Sequence, residues 1–113
     1  MIIDFKNIAP KTIEGFKGGK GELVARNFTD NDCKIMRQTL KPHASTGLHK
    51  HETNCEIIFV LSGTATLHYD GITETATAGQ AHYCPKGHEH YMENLTDDDV
   101  EYFAVVPELR TDD

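Results

Sequence analysis

The sequence predicts an all-β fold, a small barrel or sandwich. No window sustains an i, i+3, i+4, i+7 apolar stripe long enough for a helix. Short alternating segments instead run from residue 23 to residue 106. Turn signals separate them at regular intervals: Lys41-Pro42, Ser62-Gly63, Asp70-Gly71, Ala78-Gly79 and Pro85-Lys86-Gly87. Many short strands with such punctuation imply sheets packed face to face or closed on themselves.

Taken in order, the apolar run at residues 1–5 suits an edge strand or an arm laid on a partner subunit. Residues 15–21, GFKGGKG, have the composition of a loop. They fail as a phosphate loop, because Lys20 stands where a second glycine is needed and no Lys-Ser or Lys-Thr pair follows. Strands are expected over residues 23–28, 34–40, 47–51, 56–62 and 64–69, then 73–76, 81–84, 90–94 and 101–106. Asp70-Gly71 between alternating segments is a strong hairpin signal, since a type I′ turn needs positive φ at both central residues. Pro85 and Gly87 suit the second and fourth positions of a type I turn. The tail at residues 108–113 is polar and expected to fray.

A chain of 113 residues fits one domain, residues 1–113, and buries roughly 60–70% of its unfolded surface without staples. The formal charge of -7 leaves no basic face for phosphate backbones, so no nucleic-acid partner is expected. No apolar run reaches membrane-spanning length and no signal-peptide core precedes Asp4. Cys33, Cys55 and Cys84 are odd in number and widely spaced, neither a disulfide framework nor a thiolate zinc site. A reduced, cytoplasmic protein follows. Each cysteine reads as a packed thiol, with Cys55 facing away from its neighbour Glu56.

The chemistry concentrates in His49-Lys50-His51-Glu52-Thr53-Asn54-Cys55-Glu56. Side chains at i and i+2 of a strand share a face, so His49 and His51 point one way and Lys50 the other. Glu56 lies at an odd separation from His51, and the polar Glu52-Thr53-Asn54 supplies a turn that resets the parity. His90 would arrive from another strand. Three imidazoles and a carboxylate suit a divalent transition metal, Mn, Fe, Ni, Co, Cu or Zn, rather than Ca or Mg. A six-coordinate ion would keep two positions for water, dioxygen or substrate, and the local positive charge favours an anionic or enolisable small-molecule ligand.

The spacing His49-x-His51-x4-Glu56-x6-Gly63 resembles the first cupin motif, and Gly79-x5-Pro85-x-Gly87-x2-His90-x3-Asn94 resembles the second. The motifs span about residues 43–63 and 79–94. The resemblance implies a double-stranded β-helix, the jelly-roll barrel also called RmlC-like, with His49, His51, Glu56 and His90 on the metal. Two departures stand out: His43 replaces the glycine usual six positions before the first ligand, with Gly47 nearby, and Cys55 replaces a frequent acidic residue.

The other candidates have plainer expectations. His43, His68 and His88 read as outward or exposed histidines, Met92 as an apolar wall on the ligand face, and residues 97–99 as a solvated acidic loop. His82 and Cys84 share one face and Tyr83 and Pro85 the other, with the inward pair left open.

GLHKHETNCEIIFVLSG and PKGHEHYMEN look like the small cupin 2 conserved-barrel proteins grouped with oxalate decarboxylases. That resemblance implies a Mn- or Fe-type centre holding a small carboxylate, in a small metalloenzyme acting on an organic acid or related oxygenated metabolite, decarboxylase-like, dioxygenase-like or isomerase-like. Glu52 and Glu89 adjoin the ligands but read as turn-exposed, leaving no catalytic acid or base assigned. The alternative is a binding module without turnover. A homodimer is expected, because a small jelly roll has sheet edges and apolar outer faces to cover.

Overall fold

Alternation of side chains along the strands organises the molecule into two sheets that share one apolar interior. The computed structural model describes residues 1–109. Its strands are β1 (Lys11–Glu14), β2 (Glu22–Thr29), β3 (Cys33–Leu40), β4 (His49–Lys50) and β5 (Glu56–Ser62). They continue with β6 (Ala65–Tyr69), β7 (Ile72–Ala76), β8 (Ala81–Cys84), β9 (Glu89–Glu93) and β10 (Val100–Pro107). One sheet has the order β1-β2-β3-β10-β5-β8 and the other β4-β9-β6-β7. Every pairing of these strands is antiparallel. This is the two-sheet jelly roll that the motifs implied.

β10 shows the pattern most clearly, with Val100, Tyr102, Ala104 and Val106 buried and the residues between them half-buried. Leu23, Leu40 and Val60 flank them in the same sheet, and Leu67 and Met92 meet them from the other. Full burial of each large aliphatic side chain stabilises the fold by roughly 1.5–3 kcal/mol. Asp70 and Gly71 have φ of 48° and 80° and join Tyr69 to Ile72 in a two-residue hairpin, the type I′ geometry their sequence demands.

The apolar start is not a strand. Phe5–Asn7 form a single 3-10 turn capped by Asp4, and Phe5 packs edge-on against Phe103 at 5.4 Å. The edge strand is β1, whose only half-buried residue is Ile13; its backbone pairing with β2 holds it in place. The expected strand at residues 47–51 shrinks to His49–Lys50, because the backbone of Ser45 to Gly47 pairs with the Phe16–Lys20 loop and with β9 instead. Glu108 and Leu109 are not frayed: Thr53 and Asn54 hydrogen-bond the Glu108 carboxylate, and the Leu109 amide donates to the Thr53 carbonyl. The rest of the expected fraying tail, residues 110–113, lies outside the described residues.

The substitution of His43 for glycine has a direct structural counterpart. His43 itself adopts the left-handed conformation, φ 61°, on an exposed turn where Asp97 accepts a hydrogen bond from its ring at 2.7 Å. Gly47 has a different task. A Cβ there would stand 1.6 Å from the Lys17 carbonyl oxygen, so only glycine lets the glycine-rich loop lie against the segment before His49.

Candidate metal centre

β4 supplies His49, and the chain leaves the strand at once, so His51 stands just beyond it. The bend through Glu52-Thr53 resets the parity, and Glu56 opens β5 on the inner face. His90 on β9 lies directly across from His49. The Nε2 atoms of the three imidazoles and a Glu56 carboxylate oxygen all come within 4.8 Å of one another. From His90 Nε2, the distances are 3.0 Å to His51 Nε2, 3.1 Å to His49 Nε2 and 2.9 Å to Glu56 Oε1. From Glu56 Oε1, His51 Nε2 is 3.1 Å away and His49 Nε2 3.6 Å.

These separations test the fit of a metal. Two donors about 2.1 Å from one ion stand about 3.0 Å apart at right angles and about 3.4 Å apart at the tetrahedral angle. The five separations, 2.9 to 3.6 Å, bracket both values, so a first-row transition ion fits among the four donors. The donors are also correctly presented. His49 Nδ1 donates to the Gly47 carbonyl at 2.8 Å, and His51 Nδ1 donates to Asn54 Oδ1 at 2.6 Å. With their protons on Nδ1, both rings turn a bare Nε2 lone pair inward. Asn54 is itself held, its Nδ2 donating to Glu108 at 3.0 Å.

The third imidazole is oriented differently. His90 Nδ1 lies 2.9 Å from Nε2 of His82, and the two rings stack at 5.1 Å. Thus the pair left open by the sequence is resolved: His82 and Cys84 point inward and Tyr83 outward. Burial, and secondarily the charge of His90, pull His82 down to about 4, so it is a neutral acceptor near pH 7.

Without a metal the cage favours a proton. The Glu56 hydrogen bond raises His51 above its ordinary value, against the opposing effect of burial. Burial pushes Glu56 up, but the hydrogen bonds from His51 and His90, with the His49 ring 3.6 Å away, outweigh it and hold the carboxyl well below the usual range. Burial raises Cys55, and pushes Cys84 up to about 12. Both are buried free thiols without nucleophilic character at neutral pH.

The cage faces a cavity of about 290 Å³. Lys17, Lys34, Lys50 and Glu52 stand exposed among its lining residues; Lys50, expected to turn away from His49 and His51, borders the same cavity. Met92 forms part of its apolar wall, as parity required. Phe16 and Lys17 carried no sequence signal for this role; the close approach at Gly47 and the backbone pairing of Lys20 with Ser45 bring their loop to the site. The remaining histidines lie elsewhere. His68 stacks on Tyr91 at 4.2 Å and bonds Glu93 at 2.7 Å. His88, expected to be exposed, is instead half-buried, pinned by Asp70 and by the Tyr69 hydroxyl at 3.3 Å.

Residues 36–106 match the family model described as the cupin domain. The chain belongs to the cupin family. This cupin is 33% identical over 112 residues to a Thermotoga maritima protein named oxalate-binding protein, covering 94% of this chain and 93% of that one. It superposes with a TM-score of 0.90 on the crystal structure of a predicted oxalate decarboxylase from Thermotoga maritima, 32% identical and covering 96% and 100% of the two chains. An RmlC-like cupin from Shewanella frigidimarina shares the fold at a TM-score of 0.76 and 14% identity, over 93% and 87% of the chains. No helix among the described residues is long and apolar enough to cross a membrane.

Proposed function

We infer that this cupin is a metal-dependent receptor for small organic acids, with His49, His51, Glu56 and His90 as the metal ligands. The convergence of those four donors on a lysine-rimmed cavity carries the reading. The mixed nitrogen and oxygen set suits Mn, Fe, Co, Ni, Cu or Zn. When bound, the ion supplies a Lewis acid with positions left for a carboxylate. The chain contributes the rest: Lys17, Lys34 and Lys50 attract the anion, and the fixed imidazoles hold the cage in place. The name of the Thermotoga relative supports oxalate as the first acid to test.

Turnover is the second reading, and Glu52 favours it. This exposed carboxyl lines the cavity outside the cage, where a decarboxylase or dioxygenase would need a general acid. Metal titration, followed by an acid screen with CO₂ release and O₂ uptake monitored for hours, separates the two. Binding without product supports the receptor, and product formation that requires the metal replaces it with an enzyme. We include a reduced, cytoplasmic setting in the proposal, in keeping with three free thiols. A homodimer belongs to it as well, supported by the exposed Phe59, Leu61 and Tyr83 on β5 and β8; a monomer mass at high concentration would remove that element.

A further inference from the structure

The cavity is built for something bulkier and more apolar than oxalate. Its volume of about 290 Å³ has room for roughly ten non-hydrogen atoms even at the density of liquid water, and bonded atoms pack closer. Oxalate, two carboxyl groups joined directly, leaves part of that space to water.

The inner face of the larger sheet is layered. Beside the cage, Lys34 pairs with Val106. In the next inward-facing row Met36, Ala104 and Ile58 lie side by side across β3, β10 and β5. In the row beyond it Gln38 lies beside Tyr102. Inward-facing rows on a strand are about 6.6 Å apart. A ligand held at the cage by its carboxylate would therefore extend past an apolar layer, faced by Met92 from the opposite sheet, toward a polar floor.

That floor is neutral and already satisfied. The Tyr102 hydroxyl donates to Gln38 Oε1 at 2.7 Å, and Gln38 Nε2 donates to Asn27 Oδ1 at 3.2 Å. The lysines among the lining residues are exposed, and none belongs to the two inner rows. A second carboxylate carried deep into the cavity would meet Met36, Ile58 and a neutral amide, and would be stripped of water without a partner.

We propose that this site takes a 2-oxo or 2-hydroxy monocarboxylic acid with an apolar side chain, bound through its acid end at the cage, in preference to oxalate. The oxygen next to the carboxylate would give the acid two donor atoms toward an ion held by His49, His51, Glu56 and His90, and the side chain fills the Met36, Ile58 and Met92 layer. The proposal rests on the carboxylate-receptor reading and adds the class of acid.

The test is calorimetric titration of the Mn(II)-loaded full chain with oxalate, pyruvate, 2-oxobutanoate, 2-oxopentanoate and 4-methyl-2-oxopentanoate. Affinity is expected to rise about fourfold with each added methylene until the layer is filled, and the longest acids should bind more tightly than oxalate. Ala104→Leu, which narrows the layer without touching a candidate ligand, should cost the longest acid about tenfold or more while oxalate stays within about twofold, far inside that margin. A flat or falling series with oxalate tightest overturns this inference and leaves the receptor reading standing. Long-acid affinity untouched by Ala104→Leu also overturns it. Failure of every acid to bind overturns the receptor reading itself.

Discussion

Replacing His82 with phenylalanine removes one nitrogen from the support of the cage and leaves an aromatic ring in its place. His90 is 2% exposed and His82 6%, and their Nδ1 and Nε2 atoms are 2.9 Å apart. With a metal on Nε2, His90 must carry its proton on Nδ1, where the carbon edge of phenylalanine cannot accept it. Stranding a buried N–H costs about 1–3 kcal/mol, which is roughly a five- to 150-fold loss of metal affinity. The metal-free protein has an escape: His90 can carry its proton on Nε2, where Glu56 Oε1 accepts at 2.9 Å. The loss should therefore appear in metal affinity, measured against a competing chelator, far more than in the melting temperature of the metal-free chain. His82→Gln restores an acceptor oxygen and should recover most of the affinity. A phenylalanine variant that binds metal within threefold of the parent, about 0.6 kcal/mol, refutes the reasoning. So does a loss matched by an equal fall in metal-free stability.

Two other expectations follow from the titrating groups. His51 is raised in the metal-free fold, so its protonated pair with Glu56 stabilises that fold fully below about 6.5 and ceases to as pH rises through the folded value. Metal competes with that proton. Apparent metal affinity should be flat above the folded value and fall about tenfold per pH unit below it, with about one proton released on binding, counted by calorimetry in buffers of different ionisation enthalpy; affinity independent of pH between about 5 and 8 would contradict it. Iodoacetamide should label half-exposed Cys33 in the native protein, while Cys55 and Cys84 react only after denaturation. Mass spectrometry of the labelled chain checks this, and fast native labelling of Cys84 would show that the β8 packing is wrong.

Strands such as β3, β8, β9 and β10 were legible because one face of each is buried, which writes a period of two into the sequence. The cage was legible for a related reason: His49, His51 and Glu56 lie close along the chain, with a visible turn between them. β1 was not legible, because an edge strand held by backbone pairing needs no alternating pattern. Residues 1–5 misled for the opposite reason, since Met1 and Ile2 are apolar yet almost fully exposed. His82 sits where either parity was chemically acceptable, and only its pairing with Ile58 across β5 fixes it inward. Lys17 and Phe16 reach the cavity through the approach of their loop to Gly47, a contact between distant backbones with no local signature.

Everything proposed for this site depends on His49, His51, Glu56 and His90 holding one metal ion between them. Elemental analysis of protein purified without a chelating step, repeated on His49→Ala and His90→Ala, tests it most directly. Metal near one equivalent per chain is expected in the parent, as a single cage requires, and little in either variant while both remain folded. Equal metal content in all of them would contradict it.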